Sequence, residues 1–113
     1  IRRTRELGLA SLPGAMTPTE IMTAHRAGAS FVKLFPIADL GSKYVKAVRA
    51  PISHVKLLAV GGVNENNLKE FFAAGCVGAG IGGNLVNKAW IDAGEYNKIT
   101  ETARMLVEIA KES

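Results

Sequence analysis

The sequence contains a single cysteine, few aromatic residues and no long apolar segment. One cysteine, Cys76, excludes a disulfide within the chain and is typical of a protein in the reducing cytoplasm. No run of about 18 apolar residues is present, which excludes a membrane-spanning helix. The basic residues that open the chain are not followed by an apolar segment, so the sequence predicts no signal peptide. We therefore expect a cytoplasmic protein in which Cys76 is a packed, unreactive thiol.

The charge is not concentrated in any one part of the chain. Fourteen Lys and Arg residues face ten Asp and Glu residues, which gives a net charge of +4, and the basic residues are scattered. A nucleic-acid-binding protein would gather its basic residues on one face. The sequence therefore predicts neither a nucleic-acid partner nor a membrane partner, whereas small anionic ligands suit a mildly basic protein. The 113 residues, of which 48% are hydrophobic, predict a single domain.

Short apolar segments alternate with segments of helical periodicity. The apolar segments predict strands over residues 9–13, 31–36, 55–60 and 76–81. The clearest helix start has Thr17 as N-cap, Pro18 at the first helical position and Glu20 completing a capping box, and this helix ends at Gly28. The remaining helical segments are the end of a helix at 1–7, helices at 42–49, 64–75 (capped by Asn64) and 99–111, and a turn at 88–93.

Strands that are apolar throughout and that alternate with helices predict a parallel sheet covered by helices. Such a sheet is either open and doubly wound or part of a (β/α)8 TIM barrel. A whole barrel needs about 200–250 residues, roughly twice the length of this chain. We therefore predict an α/β fold that is the C-terminal half of a barrel, strands five to eight with their helices. Residues 1–113 would be one domain, and another chain or residues outside it would supply the first half, because a half-barrel leaves two sheet edges unpaired.

The segment FVKLFP, residues 31–36, places a lysine in the middle of a predicted strand. Because strand side chains alternate between faces, Lys33 should lie on the face of Phe31 and Phe35, opposite Val32 and Leu34. Desolvation there disfavours a charged ammonium group, and a neutral amine is what attack on a carbonyl requires. The functional interpretation is that Lys33 forms a Schiff base. The alternative is a lysine whose stem extends past the strand end to an acidic partner.

Glycine pairs follow the two later strands. Gly61-Gly62 follows the strand at 55–60, and Gly82-Gly83-Asn84 follows the strand at 76–81. Glycines let backbone N–H groups approach a ligand closely, and barrels frequently bind phosphate at the loops after their last two strands. Glycine pairs also occur in plain turns. On consecutive strands, however, they favour an anion site.

Four motifs occur in a consistent order: PGAMTPTE at 13–20, FVKLFP at 31–36, VGGV at 60–63 and GIGGN at 80–84. Together they resemble the 2-keto-3-deoxy-6-phosphogluconate (KDPG) aldolase family, which includes 4-hydroxy-2-oxoglutarate (KHG) aldolase activity. The resemblance runs from about residue 12 to residue 109.

The resemblance implies a class I aldolase on a TIM barrel, acting in carbohydrate metabolism such as the Entner–Doudoroff pathway. Such an enzyme is a homotrimer, needs no metal and no organic cofactor, and takes a phosphorylated keto acid and pyruvate. The family's Schiff-base lysine falls on Lys33, and its neighbouring phenylalanine falls on Phe35. Pro13 and Val60 fall in the substrate pocket. The phosphate loops fall on Gly61, Gly62, Gly82, Gly83 and Asn84.

Three departures from the family pattern affect the expected function. Asn84 stands where a serine often follows the second glycine pair, so its backbone or amide would have to substitute. Val60 stands where many members have threonine. Valine at this place resembles the related 2-keto-3-deoxy-6-phosphogalactonate aldolases, and the loss of the hydroxyl leaves the substrate stereochemistry open. The family's general base, a glutamate on the second strand, would lie upstream of residue 1. A non-catalytic half-barrel that binds phosphorylated ligands is therefore the alternative function.

Overall fold

The computed structural model describes all 113 residues as a four-stranded sheet with six helices. The strands are β1 (Gly14–Ala15), β2 (Val32–Leu34), β3 (Leu57–Val60) and β4 (Gly78–Gly80). The helices are α1 (Arg2–Glu6), α2 (Pro18–Arg26), α3 (Gly41–Arg49), α4 (Leu68–Ala73), α5 (Lys88–Asp92) and α6 (Tyr96–Lys111). The predicted α/β class and the order of a helix followed by strand–helix units are confirmed.

The sheet is parallel throughout and its strands follow chain order, β1-β2-β3-β4. One row of residues crosses all four strands: Gly14 pairs with Lys33, Lys33 with Leu58, and Leu58 with Gly78. Strands β1 and β4 each have a neighbour on one side only, so their outer edges are unpaired within the chain.

Alternation along the strands sorts the side chains between two faces of the sheet. Val32 and Leu34 of β2 are almost completely buried, as are Leu57 and Ala59 of β3. They form one core with apolar residues of the helices: Ile21, Val45, Val48, Leu68, Phe71 and Leu106. Lys33, Leu58 and Val60 occupy the alternate positions and are only half-buried. The helices therefore cover one face of the sheet, and Lys33 lies on the other.

Helix α2 begins with the predicted capping box. The Glu20 N–H donates to the Thr17 hydroxyl oxygen at 3.3 Å, and the Thr17 N–H donates to Glu20 Oε1 at 2.9 Å. Three hydrogen bonds to the Glu20 carboxylate lower its pKa: the largest effect comes from the Thr17 N–H, followed by the Thr17 hydroxyl and the Met16 N–H. Glu20 is therefore engaged at the start of the helix.

An apolar groove of about 490 Å³ lies between β4, α4 and α6. Ten of its eleven lining residues are hydrophobic, and Val77 and Val107 within it are each 51% exposed. The groove adjoins the unpaired edge of β4. It is therefore an exposed apolar border of the core, between the helices and β4.

The first strand lies later in the chain than predicted. Residues 9–13 were expected to form it, but the paired residues are Gly14 and Ala15. Leu9 and Leu12, in the segment that precedes this strand, are 60% and 48% exposed. Their apolar character had suggested a buried strand. The strand exists, but its predicted boundaries were wrong.

Three helix boundaries also differ from the prediction. Helix α4 has Asn67 as its N-cap instead of Asn64, because Asn64 Oδ1 accepts hydrogen bonds from the N–H groups of Asn66 and Asn67 in the preceding turn. The predicted turn at 88–93 is a short helix, α5, whose first turn is capped by Asn87. Helix α6 begins at Tyr96, three residues before the predicted start.

Cys76 is 5% exposed, and burial raises its pKa to about 11 despite the opposing effect of the Arg49 guanidinium. The prediction of a packed thiol is confirmed. None of the helices is long and apolar enough to cross a lipid bilayer.

Candidate active site

Lys33 lies at the centre of β2, on the sheet face that the helices do not cover. Its Nζ is 5.4 Å from the centre of the Phe35 ring. Lys33 takes part in none of the five ion pairs of the chain, and its amine donates no hydrogen bond to another residue. The alternative in which Lys33 reaches an acidic partner has no support within this chain. Phe31, expected on the other flank of Lys33, instead lies under the amine of Lys56, at 5.6 Å.

Phe35 is positioned by the way the loop after β2 bonds to the end of β3. The Ile37 N–H donates to the Val60 carbonyl at 3.0 Å, and the Ala38 N–H donates to the Gly61 carbonyl at 3.1 Å. These two backbone bonds continue the β2–β3 pairing beyond the strands. They hold Phe35, which is 51% exposed, at the rim where β2 and β3 end.

Gly61 and Gly62 have backbone conformations that favour glycine. Their φ angles are +96° and +74°. A Cβ at Gly61 would lie 2.9 Å from the Pro36 Cα and 2.9 Å from Phe35 Cδ2, and a Cβ at Gly62 would lie 2.6 Å from the Ala38 Cβ. The glycine pair therefore lets the loops after β2 and β3 pack backbone against backbone.

Gly82 and Gly83 differ from the first pair. Neither has a positive φ, and no atom lies within 4 Å of the place where a Cβ would be. Neither backbone strain nor internal packing therefore requires glycine at these two positions, and the space in front of them is open.

A cavity of about 450 Å³ joins the ends of β2, β3 and β4. Its lining residues come from the ends of these strands and the loops that follow: Phe35, Val60, Gly61, Gly62, Gly80, Ile81, Gly82, Gly83 and Asn84. Seven of these nine are residues that the sequence singled out. Lys33 does not line the cavity, but Phe35 lines it and also lies beside the Lys33 amine.

The cavity presents backbone hydrogen-bond donors. The N–H groups of Gly61, Gly62, Gly82 and Gly83 donate to no acceptor in the chain. They lie at the ends of two adjacent parallel strands, so both pairs face the same rim of the sheet. Several free N–H donors that line one cavity are suited to an anion.

The side chain of Asn84 bridges the two glycine loops. Its Nδ2 donates to the Val63 carbonyl at 2.9 Å, 21 residues earlier in the chain. This bond ties the loop after β4 to the loop after β3. One N–H of the Asn84 amide is thus used within the protein.

Pro13 lies beside Lys33 through the backbone. Its carbonyl accepts a hydrogen bond from the Lys33 N–H at 2.8 Å, immediately before β1. The Tyr44 hydroxyl donates to the Met16 carbonyl at 2.5 Å and so ties α3 to the end of β1. Tyr44 was not singled out from the sequence, and Gly80 and Ile81 were part of the motif GIGGN without being assigned to the site, since their positions at the rim depend on how the loops fold.

No group of three or more His, Cys, Asp or Glu side chains is close enough to hold a metal ion. No carboxylate lies within ion-pair distance of Lys33 either. The residues of this chain therefore bring a lysine, a phenylalanine ring and free backbone donors to the rim, but no acid or base beside the lysine.

The chain matches one protein-family model over residues 1–102, and the description of that model is KDPG and KHG aldolase. The chain belongs to the KDPG and KHG aldolase family. The predicted family is thus confirmed.

The relatives in this family include aldolases of both sugar series. The chain is 44% identical, over 75% of its length, to the 2-dehydro-3-deoxy-6-phosphogalactonate aldolase of Escherichia coli K12, of which it covers 42%. It is 36% identical, over 88% of its length, to the KHG/KDPG aldolase of the same organism, of which it covers 47%. This chain of the KDPG and KHG aldolase family therefore spans about half the length of the curated relatives it matches.

Solved structures agree with the family assignment. A structure described as native KDPGal superposes with a TM-score of 0.88 and 36% identity, covering 98% of this chain and 52% of the other. A second, described as a 4-hydroxy-2-oxoglutarate/2-dehydro-3-deoxyphosphogluconate aldolase, superposes with a TM-score of 0.72 and 25% identity. These neighbours are aldolases with a TIM-barrel-like fold.

The two glycine pairs of this aldolase-family chain should respond differently to alanine. We expect Gly61→Ala to lower the free energy of unfolding by about 1–3 kcal/mol, because alanine is strained at positive φ and its Cβ meets the Pro36 backbone. Gly82→Ala, the matched control, should change it by less than about 0.5 kcal/mol. Urea unfolding followed by circular dichroism measures both. Equal effects at the two positions would contradict the packing described for Gly61.

Proposed function

We propose that the protein carrying this chain is a class I aldolase that cleaves a 2-keto-3-deoxy-6-phospho sugar acid to pyruvate and glyceraldehyde 3-phosphate. The observation that carries the proposal is the Lys33 amine, which lies beside Phe35 at the rim of the sheet and forms no ion pair. An amine held by a carboxylate would not be free to attack a carbonyl. Cleavage of 4-hydroxy-2-oxoglutarate to pyruvate and glyoxylate would use the same chemistry.

The first half of the reaction forms a covalent intermediate at Lys33. The amine lone pair attacks the C2 ketone of the substrate, and loss of water from the carbinolamine gives an iminium ion. The iminium withdraws electrons from the C3–C4 bond. When a base removes the C4 hydroxyl proton, that bond breaks, glyceraldehyde 3-phosphate leaves, and the bonding electrons remain on C3 as an enamine.

The second half of the reaction releases pyruvate. The enamine takes a proton at C3 and becomes the iminium of pyruvate, and water hydrolyses it to pyruvate and the free Lys33 amine. The Phe35 ring, 5.4 Å from Nζ, would shield the iminium from water until cleavage is complete. The base that acts at C4 is assigned to the part of the barrel outside this chain.

The phosphate of the substrate is assigned to the cavity at the ends of β3 and β4. Four free N–H groups, those of Gly61, Gly62, Gly82 and Gly83, line it, and the open space in front of Gly82 and Gly83 admits a bulky anion. Phe35 borders both the cavity and the Lys33 amine. Binding energy at the phosphate would therefore orient the reacting carbons at Lys33.

We further propose that residues 1–113 are the second half of a barrel. The outer edges of β1 and β4 are unpaired. Apolar residues are exposed before β1, at Leu9 and Leu12, and in the groove of about 490 Å³ that β4 borders. Four further strands with their helices would cover these surfaces and close the sheet. The complete enzyme would be a homotrimer, as the family resemblance implies, and cytoplasmic, as the single cysteine indicates.

The substrate series is assigned from Val60, which lines the cavity without a hydroxyl. A site that lacks a hydrogen-bonding group cannot use it to prefer one configuration of a substrate hydroxyl. The identity to the galactonate aldolase of E. coli, 44%, also exceeds the 36% identity to its KHG/KDPG aldolase. We therefore propose that the phosphogalactonate series is cleaved, alongside the phosphogluconate series.

Replacing Lys33 should abolish cleavage without unfolding the protein. In the protein that carries this chain, we expect Lys33→Ala to reduce kcat at least about 1,000-fold for either sugar acid, because no other group can form the Schiff base. Pyruvate release, coupled to lactate dehydrogenase, measures the rate. Lys56→Ala is the matched control: its amine also lies over a phenylalanine ring, but that ring belongs to Phe31, which does not border the cavity, so the variant should keep the parent rate.

A Lys33→Ala variant that retains more than about a tenth of the parent rate would refute the assignment. A parent protein that cleaves neither sugar acid, yet binds phosphate at the glycine loops, would instead favour the non-catalytic half-barrel. That alternative is less well supported because phosphate binding alone gives no reason for an unpaired lysine on the strand next to the loops.

Replacing Val60 should change the preference between the two sugar series. We expect Val60→Thr to raise the ratio of kcat/KM for the phosphogluconate over the phosphogalactonate substrate about 10-fold. Threonine is nearly the same size as valine and adds a hydroxyl group to the cavity. Val86→Thr makes the same change at an exposed position outside the cavity and should leave the ratio unaltered. An unchanged ratio in Val60→Thr would show that the series is selected elsewhere.

A further inference from the structure

Gly14 lies directly beside Lys33 in the sheet, one strand away. The two residues are register partners of β1 and β2. A Cβ at Gly14 would lie 3.2 Å from Lys33 Cε and 3.9 Å from Nζ. The end of the lysine side chain therefore lies against the α-carbon of β1, in the space that any other residue would fill with its side chain.

The backbone at Gly14 does not itself require glycine. Its φ is not positive, in contrast to Gly61 and Gly62, so alanine can adopt the same conformation without strain. The nearest atoms to a Cβ there all belong to Lys33, and the two closest are at the flexible end of its side chain. The Lys33 side chain is therefore the one neighbour for which the lack of a side chain at Gly14 makes room.

The Lys33 amine has few other restraints. It forms no ion pair, and apart from Gly14 it lies beside the Phe35 ring, whose centre is 5.4 Å from Nζ. A carbon placed 3.2 Å from Lys33 Cε is closer than ordinary van der Waals contact, so the side chain would have to move. Since the lysine end is flexible, the movement would displace the amine while the fold stays intact.

We propose that Gly14 is a positioning residue: its missing side chain leaves the space across β1 in which Lys33 lies, and so sets where the amine meets the substrate carbonyl. This inference rests on the proposed role of Lys33 as the Schiff-base lysine. It assigns Gly14 no contact with the reacting atoms. Its effect on the reaction passes entirely through the position of the Lys33 amine.

Gly14→Ala tests the proposal by the rate of imine formation. We expect trapping of pyruvate by borohydride, followed by intact mass, to slow about 3- to 10-fold, because Lys33 Cε must move by a few tenths of an ångström and a misplacement of about 1 Å costs about 100-fold. In steady-state cleavage, kcat should fall while KM changes little, since the phosphate cavity is untouched. Gly78→Ala is the matched control: Gly78 lies in the same row across the sheet, but its Cβ would meet Leu58 Cδ2, at 2.9 Å, and not the lysine.

An unfolding cycle separates positioning from a general structural effect. Urea midpoints are measured for the parent, Gly14→Ala, Lys33→Ala and the double variant. Gly14→Ala should lower the urea midpoint less in the Lys33→Ala background than in the parent, because the lysine side chain that the added methyl group would crowd is then absent. If Gly14→Ala alone fails to fold, the double variant should fold. Equal midpoint changes in the two backgrounds, or a double variant that also fails to fold, would overturn the proposal.

The outcomes also distinguish this inference from the proposed function. A parent that traps pyruvate at Lys33, with Gly14→Ala trapping it equally fast, would overturn the role of Gly14 and leave the aldolase assignment standing. A Gly78→Ala variant slowed as much as Gly14→Ala would overturn it as well, since any added methyl group would then suffice. A parent with no adduct at Lys33 would overturn both.

Discussion

The register of β2 against its two neighbours is the constraint on which the rest of the structure depends. Val32 and Leu34 belong to the core beneath the helices, so the residue between them must lie on the opposite face. A slip of one residue would exchange the two faces and move Lys33 into that core. The same register places Lys33 between Gly14 and Leu58, and it determines which strand ends meet at the rim.

The rim itself is held together by bonds between successive loops. Backbone hydrogen bonds join residues 37 and 38 to the end of β3, the Asn84 amide joins the loops after β3 and β4, and the Tyr44 hydroxyl joins α3 to the end of β1. Gly61 and Gly62 permit the first of these joints, since their positive φ angles bring backbone against backbone. One cavity therefore collects donors from two loops, and Phe35 connects that cavity to Lys33.

Much of the fold and of the rim could be predicted from the sequence because the signals are local. The capping box at Thr17, the apolar strands and the glycine pairs each depend on residues close together in the chain. The first strand was placed too early in the chain, because Leu9 and Leu12, which are exposed, cannot be told from core residues by their hydrophobicity alone. Asn64 and Asn67 are both good caps, and only the geometry of the turn decides between them. The contact of Gly14 with Lys33 depends on the strand register, which no single segment of sequence contains.

The central claim is that one lysine of this chain carries the covalent chemistry. The chain has eight lysines, so the claim is most directly tested by finding which of them retains pyruvate. The protein is treated with pyruvate and borohydride, digested, and its peptides are sequenced by tandem mass spectrometry. The account predicts a single reduced pyruvate adduct, on Lys33. An adduct confined to another lysine, or no adduct on a protein that cleaves the sugar acid, would contradict it.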